Sequence, residues 1–238
     1  MAGLSQILPV DSRYGRKYVW QLPVRIAHWA TVAAVIALFF TGLYISNPVL
    51  APSGEAYKNF VMGTVRKVHF ASAYVFFTAF LLRIYCFYFG NNYARSGFPF
   101  VWRREWWSDL WTQAWQYLQL ERGHVHLGHN ALAGLAYTVM VLGQGWIQIF
   151  TGFAMYSESN RGGFWDRLVG WIIPLLGGSY MVHMIHHLVA WGFIVFAVIH
   201  VYIVLYDSFQ FKNGLISAMI SGLKFYEQGD LEHDRWLT

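Results

Sequence analysis

The sequence predicts an all-α membrane protein in which four transmembrane helices form a bundle, with short interfacial helices beside them. Three observations predict it. Only 12% of the 238 residues are charged, about half of the ~25% usual in a soluble domain. Apolar residues make up 56%, and Phe, Trp and Tyr together 19%. Four apolar segments are also long enough to cross a bilayer, since a helix needs ~20 residues for a ~30 Å hydrocarbon layer. Lipid forces each backbone amide to bond within its own segment, so these segments are read as helices.

The first span runs from about Ala27 to Ile45, the second from Val68 to Phe89, the third from Ala131 to Tyr156 and the fourth from Ile185 to Tyr206. Residues 1–238 are read as one integral-membrane domain. The segment before the first span holds Asp11, Arg13, Arg16, Lys17 and Arg25 without an apolar core. The first span is therefore expected to serve as its own insertion signal.

Between the second and third spans lies PFVWRREWWSDLWTQAWQYLQL (Pro99 to Leu120), with Trp102, Trp106, Trp111 and Trp115 at helical intervals. An amphipathic helix in the aromatic belt is expected there, and a nucleic-acid stacking surface is not. FWDRLVGWIIPLLG (Phe164 to Gly177) is too short to span, carries Asp166 and Arg167, and is broken by Pro174. It is read as a second interfacial helix. No internal repeat or low-complexity segment is found.

Lys and Arg set the orientation. Twelve of the 17 lie in the two tails, in the second connection or, for Arg83, near its edge, and five (Lys58, Arg66, Lys67, Arg161, Arg167) in the first and third. Both termini are expected in the cytoplasm. The single cysteine, Cys86, leaves no Cys-x-x-Cys-His motif for covalent haem and no ligand set for nickel or an iron–sulfur cluster.

The ten histidines carry the functional argument, because ionisable side chains at membrane depth are costly and usually functional. His186 and His200 lie 14 residues apart in HMIHHLVAWGFIVFAVIH (His183 to His200). On a helix that interval is about 21 Å and nearly four whole turns, so both face one way near opposite membrane surfaces. By depth, His28 pairs with His200 at the cytoplasmic level and His69 with His186 at the outer level. Two imidazoles from two helices at one depth suit bis-histidine haem. Gly42 follows His28 by 14 residues, and Arg83 follows His69 by the same interval. Gly42 either admits a flat ring or serves helix packing, and Arg83 either pairs a haem propionate or snorkels. His124, His126 and His233 are read as solvated, and His187 as pointing off the ligand face. His183 is one turn from His186, where it can line the outer surface of that site. A divalent-metal transporter would call for carboxylates beside these histidines, and the four segments contain essentially none.

RIAHWATVAAVIALFFTG (Arg25 to Gly42) and HMIHHLVAWGFIVFAVIH resemble the two signatures of the cytochrome b subunit of membrane-bound nickel–iron uptake hydrogenases. GEAYKNFVMGTVRKVHF and GNNYARSGFPFVWRREWW are similar to the family as well, and only Met184 and Ala30 depart from it. The resemblance implies a multi-pass protein of the bacterial cytoplasmic (inner) membrane holding two non-covalent b haems on His28, His69, His186 and His200. It implies hydrogenase small and large subunits as partners and quinone as electron acceptor. The related gamma subunit of formate dehydrogenase, or a thiosulfate reductase anchor, is the nearer alternative. In the formate dehydrogenase relative an asparagine helps bind quinone, and His129-Asn130 is the similar place here. Asn130 is equally suited to cap a helix.

Overall fold

The computed structural model describes residues 14–49, 59–119, 126–211 and 214–227. Four helical segments are long and apolar enough to cross a membrane, with mean hydropathies of 1.9, 1.6, 1.3 and 2.5 in chain order. Helix α1 spans Leu22–Ser46, with Pro23 in its first turn, where a missing N–H breaks no helical bond. Helix α2 spans Val61–Phe89 and starts well before the expected Val68, because its first turns carry Thr64, Arg66 and Lys67 and lie outside the apolar window. Helix α9, Ser179–Phe211, is an uninterrupted run of 33 residues. It begins just after Gly177 and Gly178, at φ 91° and 110°, and continues past Tyr206 to include Asp207.

The third span is composite. Asn130 caps α5 (Ala131–Ala136), a π-helical stretch covers Tyr137–Gly143, and α6 runs over Gln144–Ser157. A π-helical stretch widens the turn and rotates the residues after it relative to those before it. A uniform 100° per residue therefore misplaces side chains across this span.

The chain divides into two compact units. The first comprises residues 1–25, 86–137 and 200–238, and the second residues 26–85 and 138–199. The core of the second unit holds Phe76, Phe80, Phe153, Val182 and Phe193. Val169, Ile172 and Ile173 join it from two short helices, α7 (Phe164–Val169) and α8 (Ile172–Leu175). Trp165 stacks on Phe153 at 3.9 Å between ring centroids. The expected interfacial helix is thus two short helices, and the break falls at Gly170, not at Pro174, which α8 contains. Phe164, Leu168, Trp171 and Leu175 stay exposed, while the opposite face packs on the unit.

In the first unit, α3 (Asn92–Arg95) and α4 (Arg104–Gln119) follow the second span. The aromatic-belt segment is α4, which buries Trp106, Leu110 and Gln113 and exposes Trp107, Trp111 and Trp115. Two short strands, β1 (Tyr14–Tyr18) and β2 (Leu223–Glu227), pair antiparallel. The sequence reading held no strand here, since a five-residue ribbon has too few residues for an apolar alternation to show. Between α9 and β2 lies α10 (Leu215–Ser221), bracketed by Gly214 and Gly222 at φ 72° and 83°. At Gly222 a Cβ would sit 2.7 Å from the Trp20 carbonyl oxygen, so both conformation and space demand glycine.

Candidate functional site

Two of the expected ligands sit in near-identical surroundings within the second unit. His69, on α2, is half-buried, and its Nδ1 lies 2.8 Å from Thr41 Oγ1 on α1. Thr41 donates its hydroxyl proton to the Ala37 carbonyl at 2.6 Å. A hydroxyl has one proton, so Thr41 Oγ1 can only accept from the imidazole. The hydrogen-bond pattern therefore assigns the proton of His69 to Nδ1 and leaves Nε2 with its lone pair.

His186, on α9, repeats the arrangement with α6. Its Nδ1 lies 2.9 Å from Thr151 Oγ1, and Thr151 donates to the Ile147 carbonyl at 2.6 Å. The same reasoning assigns Nδ1–H and an unprotonated Nε2. Fixing the tautomer by a partner at the other ring nitrogen is how proteins orient imidazole as a metal ligand.

Each threonine is followed by a glycine against the same ring. A Cβ at Gly42 would meet His69 Cε1 at 3.4 Å, and one at Gly152 would meet His186 Cε1 at 3.1 Å. Gly42 thus stands beside His69. The amide of Gln148 lies 2.9 Å from His186 Nε2, and its Oε1 is buried without a hydrogen-bond partner among the described residues. His69 and His186 lie in the same compact unit. Two imidazoles with an unprotonated Nε2, that of His186 held by the Gln148 amide, together with bare backbone beside each ring and an orphaned amide oxygen, fit a planar group ligated through nitrogen.

The other candidates are placed one by one. His28 is half-buried on α1 and meets Trp29 edge-on at 5.2 Å. His200 lies on the same continuous helix as His186. Arg83 is half-buried on α2. Asn130 caps α5, its Oδ1 accepting from Ala133 N at 2.7 Å. His129 is held by Ser96 Oγ at 3.0 Å and meets Trp20 edge-on at 5.0 Å. His183 is exposed and bonds back to the Ser179 carbonyl at 2.8 Å. His187 is exposed and accepts from Trp191 Nε1 at 3.2 Å. His126 corrects the sequence reading. Its side chain is 8% exposed, not solvated, and lies 3.7 Å from Asp109, with Gln113 Nε2 at 2.9 Å from its own Nε2. His124 and His233 lie outside the described residues.

The sequence reading missed Thr41, Thr151, Gly152 and Gln148 as site residues. One signal was present, because Phe-Thr-Gly occurs twice, at 40–42 and 150–152. Three residues are too few to register as a repeat, but both copies present threonine and glycine to a histidine on another helix.

A family model described as prokaryotic cytochrome b561 matches residues 19–222. The chain belongs to this family. The chain is also similar to curated relatives. The Probable Ni/Fe-hydrogenase B-type cytochrome subunit of Azotobacter chroococcum mcd 1 is 40% identical over 214 residues, 88% of this chain and 89% of that one. Its counterpart in Azotobacter vinelandii is 39% identical over the same length and coverage. The Probable Ni/Fe-hydrogenase 1 B-type cytochrome subunit of Escherichia coli (strain K12) is 36% identical over 224 residues, 91% of this chain and 94% of that one. Membership in the cytochrome b561 family implies b-type haem, and its four apolar helices make this cytochrome an integral membrane protein.

Proposed function

We propose that this cytochrome is the membrane subunit of a nickel–iron hydrogenase, and that it passes electrons from the iron–sulfur chain of the small subunit to quinone. The relatives' names support the partner. The observation that carries the reading is the matched pair of Thr–His–Gly settings around His69 and His186, because a fixed Nδ1–H tautomer is what a histidine that would ligate a metal needs. His69 and His186 hold one b haem at the outer level. His28 and His200 hold a second at the cytoplasmic level, a pairing that rests on their spacing and depth in the sequence. Bound there, bis-histidine haem supplies reversible one-electron exchange between ferric and ferrous iron.

The chain's own residues do the rest. Thr41 and Thr151 hold the imidazole protons, and Gly42 and Gly152 keep side chains out of the ring's approach. Arg83 pairs a propionate at the cytoplasmic level. Asn130 uses Oδ1 for its helix cap and keeps its amide N–H groups for a quinone carbonyl. Both termini face the cytoplasm of a bacterium whose inner membrane holds the chain, and the large subunit joins the complex through the small one.

Counting haem tests the reading. The purified chain should give two protohaems in a pyridine haemochrome spectrum. His69→Ala and His186→Ala should each leave one, and it should be the same one in both. A His28→Ala variant lacking that same haem as His69→Ala would overturn the pairing.

A further inference from the structure

We infer that Tyr117 and Asp207 form the proton-donating pair for quinone reduction, a role that rests on the function proposed above. Asp207 is a carboxylate on a membrane helix, and such groups are functional by default. The sequence reading ended the fourth span at Tyr206 and so left it out. Its Oδ2 accepts from the Tyr117 hydroxyl at 2.8 Å. Its Oδ1 is buried and has no hydrogen-bond partner among the described residues. A carboxylate oxygen left bare in a low-dielectric setting is destabilising unless the group takes up a proton.

The residue proposed to contact quinone is Asn130, whose Oδ1 is occupied by Ala133 N and whose side chain acts electrostatically on the Tyr117 phenol. Burial first, and then the charge of Asp207, push the Tyr117 phenol well above its ordinary range, so it keeps its proton at physiological pH. The facing charges are few. Lys224 on β2 acts on Asp207, and Tyr206 on α9 acts on Tyr117. Lys224 is itself engaged with the carbonyls of His126 and Leu127.

The proton step balances. With Asp207 ionised, the phenol O–H points at Oδ2. With Asp207 protonated, the carboxyl O–H donates to the phenol oxygen and frees the phenol proton to turn outward. As quinone gains an electron, the Tyr117 O–H bond breaks and a quinone O–H bond forms. The Asp207 proton then moves to the phenol oxygen, and the carboxylate recovers a proton from cytoplasmic water. Two electrons and two such transfers give hydroquinone.

The competing view is a plain tether between α4 and α9, and Asp207→Asn separates the two. Asn keeps an oxygen for the Tyr117 hydroxyl but carries no transferable proton. The experiment uses the complete hydrogenase–cytochrome complex in liposomes with a short-chain ubiquinone analogue. Haem reduction by hydrogen and quinol formation are followed separately across pH. Asp207→Asn should keep its haem content and hydrogen-driven haem reduction while quinol formation slows about 100-fold, within the usual range for general acid catalysis. Tyr117→Phe should slow it comparably, and Asp207→Glu should restore much of the rate with a displaced pH profile. A wild-type rate and pH profile in Asp207→Asn would overturn the assignment. Should that variant lose haem, Tyr117→Phe decides on the same readout. A wild-type complex whose haems are reduced by hydrogen but which makes no quinol overturns the underlying function, and this assignment with it.

Discussion

The two units handle polar groups in opposite ways. Around His69 and His186, each imidazole has one threonine, and each threonine returns its proton to its own helix. In the first unit, polar side chains form branched networks instead. Gln113 bonds both Asp109 and His126, Lys224 reaches two carbonyls, and Tyr117 donates to Asp207. A ligand needs one fixed protonation state, and a closed pair gives that. A group that passes protons needs alternative partners, and a network supplies them.

Glycine substitution breaks the closed pairs most severely. If His69 and His186 hold one of two haems as proposed, Gly152→Leu should abolish that haem and leave the other, halving haem per chain in a pyridine haemochrome assay. The alanine variants sharpen the point. At 3.1 Å from His186 Cε1, a Cβ at Gly152 requires the ring to shift, whereas 3.4 Å at Gly42 borders on ordinary contact. Gly152→Ala should therefore lose more haem than Gly42→Ala, and equal retention would refute the graded fit.

Threonine substitution acts more gently. Thr151→Val or Thr41→Val strands an Nδ1–H, at about 1–3 kcal/mol for a buried unsatisfied donor. Haem affinity should fall ~10–100-fold. The midpoint potential of that haem should rise, because a less basic imidazole stabilises ferric iron less. Thr151, 2% exposed, should show the larger effect than half-buried Thr41, and serine should restore both. Unchanged potentials in both valine variants would contradict the tautomer assignment.

The smallest effect on haem is expected in the networked unit. Asn130→Asp keeps the cap oxygen, so both haems should remain reducible by hydrogen while quinone reduction is lost. Asn130→Ala should also lower thermal stability by about 1 kcal/mol through loss of the cap. Normal quinone reduction in Asn130→Asp would leave Asn130 as a cap alone.

What the sequence made legible follows from where the information lies. The four spans and the histidine interval are properties of single helices, and α9 carries His186 and His200 without interruption. Thr41, Thr151 and Gly152 act on a ring from another helix, so no periodicity along one segment shows them. Asp207 was lost because a hydropathy boundary follows composition, while the helix follows its backbone bonds through Phe211. The π-helical stretch at Tyr137–Gly143 has no periodicity signal at all, and it lies just before the helix that carries Gln148, Thr151 and Gly152. His126 was read as solvated because its partners, Asp109 and Gln113, come from α4.

The ribbon of β1 and β2 has a consequence for biogenesis. Tyr14 pairs with Glu227 and Tyr18 with Leu223, so the contact joins segments separated by all four membrane helices. Pairing so distant in sequence forms late. During synthesis Tyr14–Tyr18 emerges first and waits, its backbone unmatched, while each hydrophobic helix enters the bilayer in turn. An even number of crossings brings Leu223–Glu227 back to the side where β1 waits, and an odd number strands the two on opposite faces. Closure of the ribbon therefore requires an even number of crossings between its two strands.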